Sequence, residues 1–455
     1  MESIFDIPAD LHTPVSAYLR LAPLQPRYLL ESVEGGHTGR YSFIGFGDAR
    51  KFTIDDGALF EEGRRIEGRL LPALRSALAD IPVCEPFDVT AEPFGGGLVG
   101  VTAFDLVRRL YKLPPPPRTA DCPEGIYLAT DSILVFDHLT RRMALLHAGS
   151  ETDRQDLRKE VVAALRGALD GGHAPASHGA ATASMTRDEY MAGVETVKDH
   201  ITAGDVYQLV LSIRFGGETA IHPFAAYRGL RLLNPSPYMY YIDTGDRQVV
   251  GSSPEALARL NGGRAELRPI AGTRPRGRND DEDQHLEREL LADPKESAEH
   301  VMLVDLARND VGRTARPGSV VVDPYKTIER YSHVMHMVSG VTAELEEGLD
   351  AFDLFAATFP AGTVSGAPKL RAIEIIDELE PVSRGLYSGS IGYFGHGGTM
   401  DQAITIRTLV FANGRYTYQA GAGIVADSDP ATEYHEVLSK GAALESALEL
   451  AKEGL

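Results

Sequence analysis

The sequence predicts an α+β fold whose sheets are covered by helices. Three observations lead there: strand-forming runs are long, helical patterns come in clusters, and no internal repeat divides the chain into modules. The first strand-like run is 41–45. Runs at 133–136 and 143–146 are joined by 137–142 and read as a hairpin. Four prolines at 114–117 make a loop. The small, polar, aperiodic segment 170–181 is the linker candidate. It divides an N-terminal region, 1–170, from a larger region, 184–455. A helix starts at Thr186, with Glu189 completing a capping box, and runs through Val194, Val197 and Ile201 to Gly204. A strand follows over 206–212. Segments 351–356 and 369–376 read as helices, and 388–394 and 403–411 as strands. The turn at Asn413-Gly414 folds 415–420 back on the last of these.

At 455 residues and 43% hydrophobic content, the chain can bury a large core. Its charge is 45 − 65 = −20, which excludes the broad basic field that a nucleic acid or an anionic membrane needs. A small anionic substrate stays open, because a few clustered cations can dominate a closed pocket. Only Cys84 and Cys122 occur, without metal-ligand spacing, as expected in a reducing compartment. Residues 1–11 lack the basic-then-apolar order of a signal peptide, and no 18-residue apolar run exists, so the expectation is a cytoplasmic protein.

Two acidic segments carry the sharpest chemical signal. Glu296 and Glu299, and again Glu433 and Glu436, repeat at i and i+3, which stacks each pair on one helix face. Like charges so placed repel. A shared divalent cation is one reason to keep them, and a solvated helix face is the other. Arg407 lies in an otherwise apolar strand run, where an arginine needs an anionic partner. Lys440 follows Glu436 by one helical turn. The segment 362–369 brings Thr and Ser hydroxyls to a helix start, suited either to an anion or to plain capping. Gly421 and Gly423 could bring bare backbone N–H groups to a ligand, or mark a tight crossing. The basic segment 269–277 reads as a lid or a surface loop. Glu255 and His336 are the acid–base candidates.

Taken in order, segments 269–277, 289–291, 295–300, 305–310, 332–337, 363–369, 384–394 and 421–440 resemble the catalytic domain of chorismate-binding enzymes. Segments 29–34 and 39–45 resemble the tryptophan-site segment of the anthranilate synthase component I family, and 234–239 resembles its second wall. The resemblance implies two antiparallel sheets packed face to face with helices outside. It implies that Glu299 and Glu436 bind Mg2+, with Glu296 and Glu433 holding metal waters. Arg407, Lys440, Tyr387 and the backbone of Gly421, Ala422 and Gly423 would hold the enolpyruvyl carboxylate of chorismate, beside Gly272 and Thr273. Glu255 would be general acid on the 4-hydroxyl, and His336 would serve pyruvate elimination. Thr363 and Gln208 join these as catalytic residues. Glu31, Ser32, Pro237, Tyr238 and Met239 would hold tryptophan as feedback inhibitor.

Relatives that add water carry a lysine base where this chain has Gln208; an amide cannot activate water but suits ammonia, already a nucleophile. Relatives that aminate the para position carry a lysine where Ala271 stands. The implied reaction is therefore amination of chorismate at C2, then loss of pyruvate to give anthranilate. Aminodeoxychorismate synthase component I, aminodeoxyisochorismate synthase and a non-catalytic tryptophan sensor are the alternatives; the last should lack some of Glu299, Glu436, Arg407 and Lys440, which are all present. No Gly-x-Cys-x-Gly segment occurs, so ammonia would come from a separate glutamine amidotransferase subunit, in a hetero-oligomer. The absence of Trp suits an enzyme needed when tryptophan is scarce, and chance alone also gives it.

Overall fold

The computed structural model describes residues 4–33, 39–86, 94–169, 173–330 and 334–455. Twenty-one strands hydrogen-bond into one continuous, curled and antiparallel network, and three more form a small separate sheet. The chain is thus mixed helix and strand. Strands from its two ends interleave: Tyr28–Glu31 pairs with Tyr238–Asp243 (Met239 opposite Glu31), and Gly97–Thr102 pairs with Ser390–Gly395. The hairpin expected around 137–142 is present, with Gly125–Asp137 paired to Arg142–His147 and Asp137 opposite Arg142.

The strands that frame the site are Gln208–Glu218 and Arg415–Ile424, in register from Leu209 opposite Ile424 to Glu218 opposite Arg415. Arg415–Ile424 also pairs with Thr408–Ala412 through the two-residue turn Asn413-Gly414, both with positive φ. Alternation explains the burial: Leu209, Leu211 and Ile213 face Ala420, Ala422 and Ile424 in one apolar cluster. Helices Arg187–Ala203, Pro223–Leu233 and Pro430–Lys452 cover that face. The first is capped as its sequence predicts, by Thr186 with Glu189 and by a left-handed Gly204. The crossing of the other two is close. A Cβ on Gly229 would lie 2.7 Å from the Ala447 carbonyl oxygen, so only glycine fits there.

Two segments differ from their sequence reading. The strand over 403–411 is broken: Thr399–Ile404 ends, and Thr408–Ala412 begins after Arg407, whose φ is +49°. A non-glycine residue held there costs about 1–2 kcal/mol, so surrounding contacts must hold it. Segment 269–277 is neither lid nor surface loop. Ile270–Pro275 is a strand of the small sheet, paired with Val334–Val338. Its cations are locked down: Arg274 pairs with Glu289, Asp293 and Glu296, and Arg276 with Asp283. Of the linker candidate, 170–172 lie outside the described residues. The rest is tied by backbone hydrogen bonds from His173 to Leu455, Ala176 to Lys452 and Gly179 to Glu218. No helix among the described residues is long and apolar enough to cross a membrane.

Candidate active site

A cavity of about 470 Å3 opens between the broken strand, the small sheet and helices Pro294–Gly312 and Pro430–Lys452. Its wall gathers Glu255, Thr273, Glu299, His336, Thr363, Tyr387, Arg407, Gly421, Gly423 and Lys440. Ten residues singled out in the sequence, spread over nearly two hundred positions, thus face one space.

Glu255 is the acid. Burial pushes its carboxyl up to about 7, against the opposing pull of the Thr363 hydrogen bond, Lys440 and Arg407. Thr363 Oγ1 donates that bond to Glu255 Oε1 at 2.8 Å. Thr363 sits in the 3-10 turn Gly362–Val364, and Ser365 Oγ donates to the Ala361 carbonyl. The hydroxyls of 362–369 are therefore committed to protein partners rather than to a helix-start anion site. Buried Arg384 anchors this turn, donating to the carbonyls of Val364 and Val210 at 2.6 and 2.7 Å while pairing with Glu380 at 2.7 Å.

His336 is the base. A carbonyl only accepts, so the 3.1 Å contact of Nδ1 with Gly272 O puts the proton on Nδ1 and the lone pair on Nε2. Thr273 Oγ1 lies 3.0 Å from the same nitrogen. Burial, aided by Arg407, lowers the ring's pKa, so His336 is neutral at neutral pH. Gly272 contributes its carbonyl from a left-handed φ of +70°.

The cationic side is built by Arg407 and Lys440. Lys440 Nζ donates to Gly421 O at 3.0 Å and pairs with Glu436 at 2.7 Å. Burial pushes the Tyr387 hydroxyl up to about 12, leaving it a proton donor. A Cβ on Gly421 would lie 2.8 Å from Tyr387 Oη, and one on Gly423 2.7 Å from Gln208 Nε2. Both glycines therefore leave room for neighbouring polar groups. Gln208 is buried beside Gly423 and does not itself line the cavity. Ala422 turns its methyl into the core and offers only backbone.

The two Glu pairs lie on facing helices. Glu299 faces the cavity; burial raises its carboxyl, and Glu296 and Glu436 add to the shift. Burial also raises Glu433, with Glu436 adding. The share of the Glu299 and Glu433 shifts that comes from neighbouring carboxylates is what a bound cation would relieve. Among the described residues no group of three or more His, Cys, Asp or Glu side chains is gathered for a metal. Mg2+ asks for only one or two protein carboxylates and keeps its waters, so the Glu299–Glu436 arrangement fits that ion. Glu296 is also held by Arg274, at 3.3 Å.

A second cavity, about 130 Å3, is lined by Glu31, Ser32, Pro237, Tyr238 and Met239. The Glu31 carboxylate is clamped by Arg231 at 3.0 and 3.1 Å and by Tyr227. Ser32 Oγ is buried without a hydrogen-bond partner among the described residues. Glu34, Ser332 and His333, in the resembling segments, lie outside the described residues. Sequence reasoning missed Asn234, Ser236 and Gln419 in the main cavity. The first two were assigned to the smaller cavity's wall, and Gln419 gives no signal beyond strand alternation.

The profile of the chorismate binding enzyme family matches residues 25–446. The chain is 46% identical over 452 residues to anthranilate synthase component 1 of Thermus thermophilus, covering 98% of this chain and 97% of the relative. It is 44% identical over 476 residues to the component of that name from Pseudomonas aeruginosa, covering 99% and 96%. Anthranilate synthase component I from Streptococcus pneumoniae superposes with a TM-score of 0.81 at 35% identity, over 96% of this chain and 98% of that one. The menaquinone-specific isochorismate synthase of Escherichia coli shares the fold, with a TM-score of 0.72 at 20% identity over 95% and 91%. With nearly its whole length matched, the chain belongs to the chorismate binding enzyme family.

Proposed function

We propose that this chain is the chorismate-using component of an anthranilate synthase, the enzyme that opens tryptophan biosynthesis. The observation that carries the reading is the single cavity joining a carboxyl that titrates near 7, a neutral histidine and the cations Arg407 and Lys440.

In this reading Arg407, Lys440, Tyr387 and the backbone at 421–423 bind the enolpyruvyl carboxylate and fix the ring. Glu299 and Glu436 would hold Mg2+, and Glu296 and Glu433 would support them through its waters; the ion would supply Lewis-acid withdrawal of charge from the ring carboxylate. Ammonia adds at C2. Glu255 gives its proton to the departing 4-hydroxyl, which leaves as water. Thr363 orients Glu255 and stabilises the carboxylate left behind. His336 Nε2 then takes the C2 ring proton as the C3–O bond breaks; the ring becomes aromatic, and the three-carbon group leaves as enolpyruvate, whose methylene carbon takes up a proton to give pyruvate. Gln208, beside Gly423, and Ala271, on the cavity wall, leave no lysine there to activate water or attack C2.

Ammonia is supplied by a glutamine amidotransferase subunit in a hetero-oligomer, and the enzyme works in the cytoplasm. Tryptophan occupies the smaller cavity as feedback inhibitor. The same reading takes the strand network as folded over into two face-to-face layers, supported by rings of separate strands such as Phe43 and Tyr393 meeting 6.4 Å apart.

The test is to incubate the purified chain with chorismate, Mg2+ and ammonium at high pH, with and without tryptophan, and separate the products. Anthranilate, suppressed by tryptophan, is expected. A para-substituted aminodeoxychorismate would move the enzyme to the alternative reaction.

A further inference from the structure

Behind the main cavity lies another, of about 200 Å3, that the reaction above does not use. Tyr387 and Gln419 line both, so these two side chains are the partition. The far wall carries Arg214, Arg247 and Arg415, with Asp121 beside Arg214 and Glu218 3.9 Å from Arg415. Arginines outnumber acids among the residues that line the recess, in a chain of net charge −20. Arg214 is spoken for, by Asp121 and the Ser383 carbonyl. Arg247 is not. Its side chain is 13% exposed, and among the described residues it pairs only with Asp246, through Nε at 3.2 Å. Its terminal nitrogens thus offer the planar fork that matches a carboxylate.

A second observation points to a ligand. Thr405 lines the same recess, is fully buried, and its hydroxyl has no hydrogen-bond partner. A buried hydroxyl left unpaired costs about 1–3 kcal/mol, which a bound anion or its water would offset. On the partition, Gln419 is oriented. Its Nε2 donates to Ser212, which donates to Glu380, so Oε1 is an acceptor, also buried and unpaired. It suits a water accompanying an anion through the partition.

We propose that this recess is a small-carboxylate site anchored by Arg247, and that it receives the 2-oxo acid expelled in the main cavity. The class of ligand follows from volume and charge. The identity of that acid as the pyruvate product rests on the proposed function. The position fits the chemistry, since the leaving group's carboxylate is held at Tyr387, on the shared wall.

The test titrates the full-length chain with sodium pyruvate, followed by saturation-transfer NMR on the methyl signal. Saturable binding is expected in the wild type. Arg247→Ala should weaken it about tenfold or more, and Thr405→Val about threefold, as loss of a charge-assisted and a neutral hydrogen bond implies. Arg407→Ala, which strips the main cavity, should retain it. If Arg247→Ala unfolds, Arg247→Lys, which keeps the charge without the fork, carries the comparison. Wild-type affinity in the Arg247 and Thr405 variants, or loss only in Arg407→Ala, overturns the proposal. Equal displacement by inorganic phosphate overturns it too, as that marks a general anion hole. A parallel assay with chorismate and ammonium separates the two readings. Pyruvate binding without anthranilate formation would sink the proposed function and the product assignment while leaving the carboxylate site standing.

Discussion

Thr363 donates a 2.8 Å hydrogen bond to Glu255, the one carboxyl of the main cavity that burial brings to about 7. The bond stabilises the ionised form and so opposes burial. Removing it by Thr363→Val should raise the Glu255 pKa further. Since the protonated form gives the proton, activity at fixed free ammonia should fall above about pH 7 in the wild type. In the variant that limb should move to higher pH. An unmoved limb would assign the profile to another group.

Glu255 also carries a stability signature. Its folded pKa of about 7 lies above the ordinary 4.5, so between those values the native state keeps a proton that the unfolded chain has lost. Stability therefore falls as pH rises through that window. Glu255→Gln, neutral throughout, should melt higher than the wild type above pH 7 and about equal to it below pH 4.5. Its turnover should drop about 10²–10⁴-fold. Thermal melts at the two pH extremes and a steady-state assay check both.

His336 and Glu255 serve different steps in the proposed mechanism, so they should separate kinetically. His336→Met should still consume chorismate but accumulate aminodeoxyisochorismate, seen by chromatography. Equal loss of both steps would remove His336 from the elimination.

Much of this site is legible in the sequence, and the reason is local. The Glu pairs announce themselves because i and i+3 share a helix face, and both segments do lie on helices. The capped helix at 187–203 follows from Thr186, Glu189 and Gly204 alone. What escaped depends on contacts distant in sequence. Nothing local marks Arg407 as left-handed, because 403–411 reads as one apolar strand. The arginines of 269–277 look free for a ligand until Glu289, Asp293 and Asp283 are brought to them by the following helices. Gln419 and Tyr387 become a partition only when two cavities exist to divide.

The facing carboxylates predict metal dependence. Chelation with EDTA should abolish activity, and Mg2+ should restore it. Glu299→Gln should raise the Mg2+ concentration needed for half activity about tenfold or more, as loss of one carboxylate ligand implies. Full activity in EDTA-treated, metal-free protein would reject this role.

The two glycines of the cavity should differ in tolerance. A Cβ on Gly421 meets the Leu211 carbonyl at 2.8 Å and Ser212 Cβ at 2.9 Å, besides Tyr387 Oη. Backbone cannot step aside, so Gly421→Ala should cost about 1–3 kcal/mol of stability and weaken chorismate binding. A Cβ on Gly423 meets only the Gln208 side chain below 3 Å, whose amide end can rotate away. Gly423→Ala should therefore keep near-normal stability while disturbing Gln208. Denaturant melts and chorismate KM for the pair give the comparison, and equal effects would contradict it.

Pro237 lines both the main cavity and the smaller one that holds Ser32. A ligand in the smaller space would therefore press on a residue of the larger, and under the proposed function that is a short route from tryptophan to the substrate site. Coupling of this kind is reciprocal: if tryptophan weakens chorismate, chorismate weakens tryptophan by the same factor. Ser32 Oγ is buried and unpaired in this structure, so a ligand that bonds it gains the desolvation already spent. Ser32→Ala should raise the tryptophan concentration for half inhibition about tenfold, the worth of one such bond, with chorismate KM and turnover near wild type. Calorimetric titration of tryptophan with and without chorismate reads the coupling directly. A tryptophan affinity indifferent both to chorismate and to Ser32→Ala would remove the inhibitor from this cavity.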